Sequence, residues 1–117
     1  MPQVLGVGNL QYTVVNTAGT TTLNPGQASG IQSQCSVLGG VVAVAPGTTW
    51  AFTLYDIIPA SPGPGGPGIT TNTLLNGTAT AAGQQFPAGL NGDNVRYRGS
   101  LVMVTTGTPG AFNALWD

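Results

Sequence analysis

The chain has 117 residues, of which 41% are hydrophobic and only 4% charged, with a net charge of −1; an ordinary soluble domain has about a quarter of its residues charged. Two arginines, with no lysine and no histidine, cannot supply the several phosphate contacts of a nucleic-acid binder. They also leave out the usual general bases and the Ser-His-Asp and Schiff-base chemistries. The longest unbroken apolar run, Val41 to Ala45, is far short of the roughly 20 residues that span a bilayer, so no membrane insertion is expected.

The length predicts one domain over residues 1–117. Nineteen glycines and nine prolines, spread between short apolar runs, suit an all-β protein with many turns. Met1 to Leu10 (MPQVLGVGNL) is apolar and broken by glycine; it reads as an edge strand or as an extended arm docking on a neighbour. The first residues carry no Lys or Arg and no long apolar core, so no signal peptide is expected. Gln11 to Asn16 reads as a strand, and Leu23-Asn24-Pro25-Gly26 as a type II turn. Ile31 to Leu38 alternates apolar and polar residues in the manner of a half-buried strand. The single cysteine, Cys35, excludes an intrachain disulfide and reads as a small half-buried apolar residue.

Gly39 to Ile58 carries the plainest hairpin signal: two apolar runs around Pro46-Gly47-Thr48-Thr49. In the second run Trp50, Phe52 and Leu54 fall on one face, and Ala51, Thr53 and Tyr55 on the other. The first set is expected to pack against Leu101 to Val104 and Phe112 to Trp116. The second set is nearly uncharged and is the first candidate contact surface for a neighbouring subunit.

Pro59 to Gly68 (PASPGPGGPG) admits neither strand nor helix and reads as a long loop. Gly63, Gly65 and Gly68 match G-x-G-x-x-G only formally, since prolines interrupt them and no helix follows to hold a phosphate. Ile69 to Leu75 and Thr78 to Ala82 read as short strands around an Asn76-Gly77 turn. Asn76-Gly77-Thr78 is also a formal glycosylation acceptor, read here as the turn. Phe86 reads as a core anchor, with Pro87 marking a strand end or edge. Asn91 to Asn94 reads as a turn; a single Asp93 is too few ligands for a calcium site. Val95 to Thr106 is the longest strand candidate, with Arg96 and Arg98 on one face and a bulge at Gly99. Ala111 to Asp117 reads as the last strand, with Trp116 the better candidate of the two tryptophans for exposure.

Eight to nine short strands and no substantial helix predict a single-domain antiparallel β-sandwich or jelly-roll-like fold. One cysteine and no histidine exclude a His/Cys metal site, and neither a cofactor nor an enzymatic activity is expected. In a chain this poor in charge, Asp56 or Asp93 is expected to pair with Arg96 or Arg98, within the chain or across a subunit contact. Scarce charge also leaves sheet edges unprotected against pairing, so a homo-oligomer or larger assembly is expected. The candidate interface residues are Ala51, Thr53, Tyr55, Arg96, Arg98 and Trp116.

The succession Gly40-Val41-Val42, Pro46-Gly47-Thr48, Trp50 to Asp56, Phe86-Pro87-Ala88-Gly89-Leu90 and Gly99 to Val104 resembles small β-sandwich virion proteins of tailed bacteriophages. These decorate capsids or form fibre and tail parts. The resemblance covers the last two-thirds of the chain and rests on strand and turn patterns; the Pro59–Gly68 loop does not map onto it. It implies a non-enzymatic structural protein, made in the host cytoplasm and assembled into the virion. Its partners would be the major capsid protein or other virion subunits. The competing class is a carbohydrate-binding or adhesive β-sandwich, in which an exposed Trp50 or Trp116 would supply a stacking platform.

Overall fold

The computed structural model describes residues 11–25, 36–60, 63–66, 68–89 and 95–117. The expected N-terminal arm, Cys35, the Asn91–Asn94 turn with Asp93, and most of the strand expected over Ile31–Leu38 lie outside the described residues. Among the described residues there are nine strands: β1 (Gln11–Val15), β2 (Gly19–Asn24), β3 (Ser36–Ala45), β4 (Thr48–Ile58), β5 (Thr70–Thr78), β6 (Gln84–Pro87), β7 (Val95–Tyr97), β8 (Ser100–Thr108) and β9 (Ala111–Trp116). No helix occurs among the described residues.

The strands form two antiparallel sheets. The first has the order β1-β9-β3-β6, with β7 also on β3. Strand β6 pairs with Gly40–Ala43 and β7 with Ser36–Leu38, so the two lie end to end along one edge of β3. The second sheet has the order β2-β8-β4-β5. The fold is the expected all-β sandwich.

Alternation along β4 sets the core. Trp50, Phe52, Leu54 and Asp56 are buried, and the residues between them are half-buried. On the neighbouring β8, Leu101, Met103 and Thr105 stand opposite Asp56, Leu54 and Phe52, because directly opposed residues share a face. The first sheet answers with Leu38, Val41 and Ala43 from β3 and Phe112 and Ala114 from β9, all buried. Across the layers Trp50 stacks on Phe112 with centroids 5.2 Å apart and planes 11° apart. Phe52 meets the same ring edge-on at 4.8 Å. Each such pair adds about 0.5–1.5 kcal/mol beyond the area it buries. The Trp50 indole N–H is buried without a partner, which costs about 1–3 kcal/mol.

The connection at Pro46-Gly47 differs from the hairpin expected there. Strands β3 and β4 belong to different sheets: β3 pairs with β9, β6 and β7, and β4 with β5 and β8. Pro46-Gly47 is therefore an arch that carries the chain from one layer to the other. Pro109-Gly110 does the same between β8 and β9. The two arches lie against each other. A Cβ on Gly47 would strike the Thr108 and Gly110 backbone, and one on Gly110 would strike Ala45 and Gly47. Gly47 also has a φ of 55°, a region glycine enters without steric cost. The arch has a physical reason. A hairpin sets two apolar runs side by side on one layer, whereas an arch turns their apolar faces toward each other.

The Pro59–Gly68 segment is the connection of a hairpin between the paired strands β4 and β5. Its described residues are exposed. The turn expected at Asn76-Gly77 is absent, and β5 runs straight through both residues. Gly77 is needed there for a different reason: a Cβ would collide with the Phe86 ring, which packs edge-on against Phe52 at 5.2 Å. Residues 79–83 are not the expected strand but cross to β6. They are held by Ala79 N–H donating to the Trp50 carbonyl at 2.8 Å and Gly83 N–H to the Ala43 carbonyl at 2.7 Å.

The run expected as one strand over Val95–Thr106 is broken at Arg98-Gly99. Strand β7 lies in the first sheet and β8 in the second.

Candidate interaction surfaces

Asp56 organises that break. It is 4% exposed, and its two carboxylate oxygens accept from consecutive backbone N–H groups: Oδ1 from Gly99 at 2.7 Å and Oδ2 from Arg98 at 3.1 Å. Gly99 presses so closely on β4 that a Cβ would strike the Ile57 carbonyl. The carboxylate thus clamps the corner where the chain leaves one sheet for the other. Within the chain Asp56 makes no ion pair with an arginine side chain. Asp56 takes the main-chain N–H of Arg98, while the Arg96 and Arg98 side chains are exposed. Hydrogen bonds to a charged acceptor are worth about 1.5–3 kcal/mol each, enough to hold a buried carboxylate whose desolvation is otherwise costly.

On the other side of the corner, Tyr97 is buried on β7. Its hydroxyl donates to the Asp117 carbonyl at 2.7 Å and accepts from Asn24 Nδ2 at 2.8 Å. This joins β7 to the end of β2 in the opposite sheet and to the residue after β9. Among the described residues no group of three or more acidic, cysteine or histidine side chains could hold a metal.

The six candidate interface residues do not form one patch. Ala51, Thr53 and Tyr55 lie together on the outer face of the second sheet, all half-buried. Arg96 projects from the outer side of β7, opposite Val37, in the first sheet. Arg98 stands at the corner. Trp116 is on neither outer face: it opposes Leu38, packs against the core and donates its indole N–H to Thr13 Oγ1 at 2.9 Å. Trp50 is fully buried. Neither tryptophan is therefore an open stacking platform.

The outer face of the second sheet is built in register. Thr20 and Thr22 on β2 oppose Val104 and Val102 on β8, which oppose Thr53 and Tyr55 on β4, which oppose Asn76 and Thr73 on β5. No charged side chain stands on it. The single charge in its four strands, Asp56, points into the core.

The outer face of the first sheet is different, and apart from Arg96 none of its residues is among the sequence candidates. Tyr12 and Val14 on β1 are 69% and 58% exposed. Their register partners are Leu115 and Asn113 on β9. Gly39 and Gly40 leave a depression between Leu115 and Pro87, a shallow groove of about 360 Å³. Asn113 Oδ1 is buried there without a partner. Period-two alternation in QYTVV was the available signal, since it puts Tyr12 and Val14 on the face away from buried Val15.

No helix among the described residues is long and apolar enough to cross a membrane. No family model matches this chain, and neither does any curated protein or solved structure.

Proposed function

We propose that the protein is a non-enzymatic structural subunit of a bacteriophage particle, acting as a capsid decoration or cementing subunit. It would be made in the host cytoplasm and work in the virion against the major capsid protein or other virion subunits. The observation that carries this reading is the outer face of the second sheet. Four strands present ordered rows of threonine, valine, asparagine and tyrosine with no charge. Such a surface has little electrostatic protection against association and offers side-chain hydrogen bonds and apolar contact to a matching wall. The resemblance in strand and turn order to small virion sandwiches supports the same reading.

Co-sedimentation of the purified protein with capsids tests it, using Thr53→Lys as the contrast. The wild type is expected to pellet with particles and the variant to stay in the supernatant. A wild type that binds no particle but does bind a glycan array would overturn the reading in favour of an adhesive module.

A further inference from the structure

The second sheet ends on β5, and among the described residues no strand pairs with that strand's outer edge. An unpaired edge presents a row of N–H and C=O groups, and natural sheets blunt such edges with charge, proline, shortness or cover. The four edges differ in how far they do this. Along β6 and β7 the edge is interrupted and carries both Pro87 and Arg96. Strands β1 and β2 are short, at 5 and 6 residues. Strand β5 has 9 residues, TTNTLLNGT, with neither proline nor charge. Its one irregularity is the register shift that leaves Leu74 unopposed. This sets apart an uninterrupted segment, Thr70–Thr73, in which every residue is exposed.

A second feature adjoins that segment. Ile69, immediately before it, is 69% exposed. The β4 residues opposite Thr70 and Thr71 are Ile58 and Ile57, both half-buried. A free ladder and an uncovered apolar residue thus lie side by side at the loop end of the sheet.

We propose that β5 pairs antiparallel with β5 of a second copy of this chain, centred on Thr70–Thr73. The pairing joins two four-stranded sheets into one continuous sheet, and Ile69 of each copy comes to lie beside the other copy's β5 around its register shift at Leu74. A neutral edge offers nothing to a strongly acidic or basic partner; its complement is another neutral strand. Because the contact is two-fold, each residue meets the same chemistry coming the other way, and the absence of charge leaves no like-charge conflict at the axis. Thr71 and Thr73 share the outer face, where threonine–threonine hydrogen bonds across a pair are favourable. The contact consumes both free β5 edges, so it closes at a dimer. It deepens the structural-subunit reading by naming one partner, and it can fail separately from that reading.

Sedimentation equilibrium over a concentration series tests the proposal, with capsid co-sedimentation run on the same samples. The wild type is expected to be dimeric. Thr71→Lys/Thr73→Lys should raise the dimer dissociation constant by roughly tenfold or more, and Ile69→Ser by a smaller factor. Thr20→Lys, on the other edge of the same sheet, should leave the dimer unchanged. All variants should keep the wild-type β-sheet circular dichroism and a cooperative melt. In a Cys35→Ser background, cysteines placed in turn at Thr71 and Thr73, alone and mixed, should give an oxidised dimer, whereas one at Thr20 should not. A wild-type monomer, an open-ended polymer, or a dimer insensitive to the Thr71/Thr73 charges would overturn the β5 pairing. A monomer that still binds capsids would overturn it while sparing the structural reading; a dimer that binds no particle would do the reverse.

Discussion

The two sheets share one core and present opposite kinds of surface. The first has an outer face with exposed Tyr12 and Val14 and a groove over Gly39 and Gly40, and one edge is broken between β6 and β7, with Arg96 beside the break. The second has a face of uncharged rows and a long bare edge at β5. Low overall charge therefore does not act evenly. The described charges gather near the corner and the first sheet, and the second sheet is left without any on its outer side. A composition that looks merely neutral resolves into one irregular layer and one regular layer.

That contrast can be tested, beginning with what both layers share. Phe112 sits in the first sheet and touches Trp50, Phe52 and Phe86. Phe112→Ala should cost about 3–5 kcal/mol and lower the denaturant midpoint with little change in slope. If only one layer lost hydrogen-exchange protection, the layers would be less coupled than their ring contacts imply.

Asp56→Ala separates the layers at their corner. Leaving two backbone N–H groups without an acceptor should cost about 2–4 kcal/mol. Exchange should rise first at Arg98, Gly99 and β7, and last in the centre of β4. Asp56→Asn should recover part of the loss, because one acceptor oxygen remains.

Trp116→Phe sharpens the comparison within the first sheet alone. It keeps the packing and removes the hydrogen bond to Thr13, so about 0.5–1.5 kcal/mol should be lost, read as a small fall in melting temperature. The smallest effect belongs to Arg96→Gln/Arg98→Gln. Neither side chain is buried, and the melting temperature should not move. A clear shift would mean that the guanidinium groups support the corner as well as the Arg98 backbone does.

Much of this organisation is readable from residue order. The alternation Trp50, Phe52, Leu54 identifies the core face of β4, and parity places Ala51, Thr53 and Tyr55 together outside. The strand count agrees only in total, since the two strands expected around Asn76-Gly77 are one and the one expected over Val95–Thr106 is two. Sheet membership is not readable that way. Pro46-Gly47 and Pro109-Gly110 announce that the chain reverses, but whether the next strand joins the same layer depends on distant partners such as Ala43 with Phe112. The same limit scattered the candidate interface. By residue character Arg96 and Thr53 fall together as contact candidates, and only the register of β7 on β3 separates them. Residue types point Asp56 toward an arginine side chain, whereas its carboxylate accepts from main-chain N–H groups. That the partner is a pair of main-chain N–H groups depends on the corner geometry at Gly99, which residue types do not encode. Gly77 misled for a related reason, since the Asn-Gly dipeptide favours a turn locally whereas here the glycine makes room for Phe86.

The placement of β9 has a kinetic consequence. It lies between β1 and β3, and its ladder joins Val15 to Phe112, residues near opposite ends of the described chain. The first sheet cannot nucleate from neighbouring segments and must wait for its central strand to arrive. Topologies dominated by such distant pairings fold in roughly milliseconds to seconds. Until β9 inserts, β1 and β3 each expose a bare ladder, and with so few charges nothing repels another unfinished copy. Low temperature, dilution or a folding helper during synthesis would therefore affect yield more than the stability of the finished sandwich would suggest.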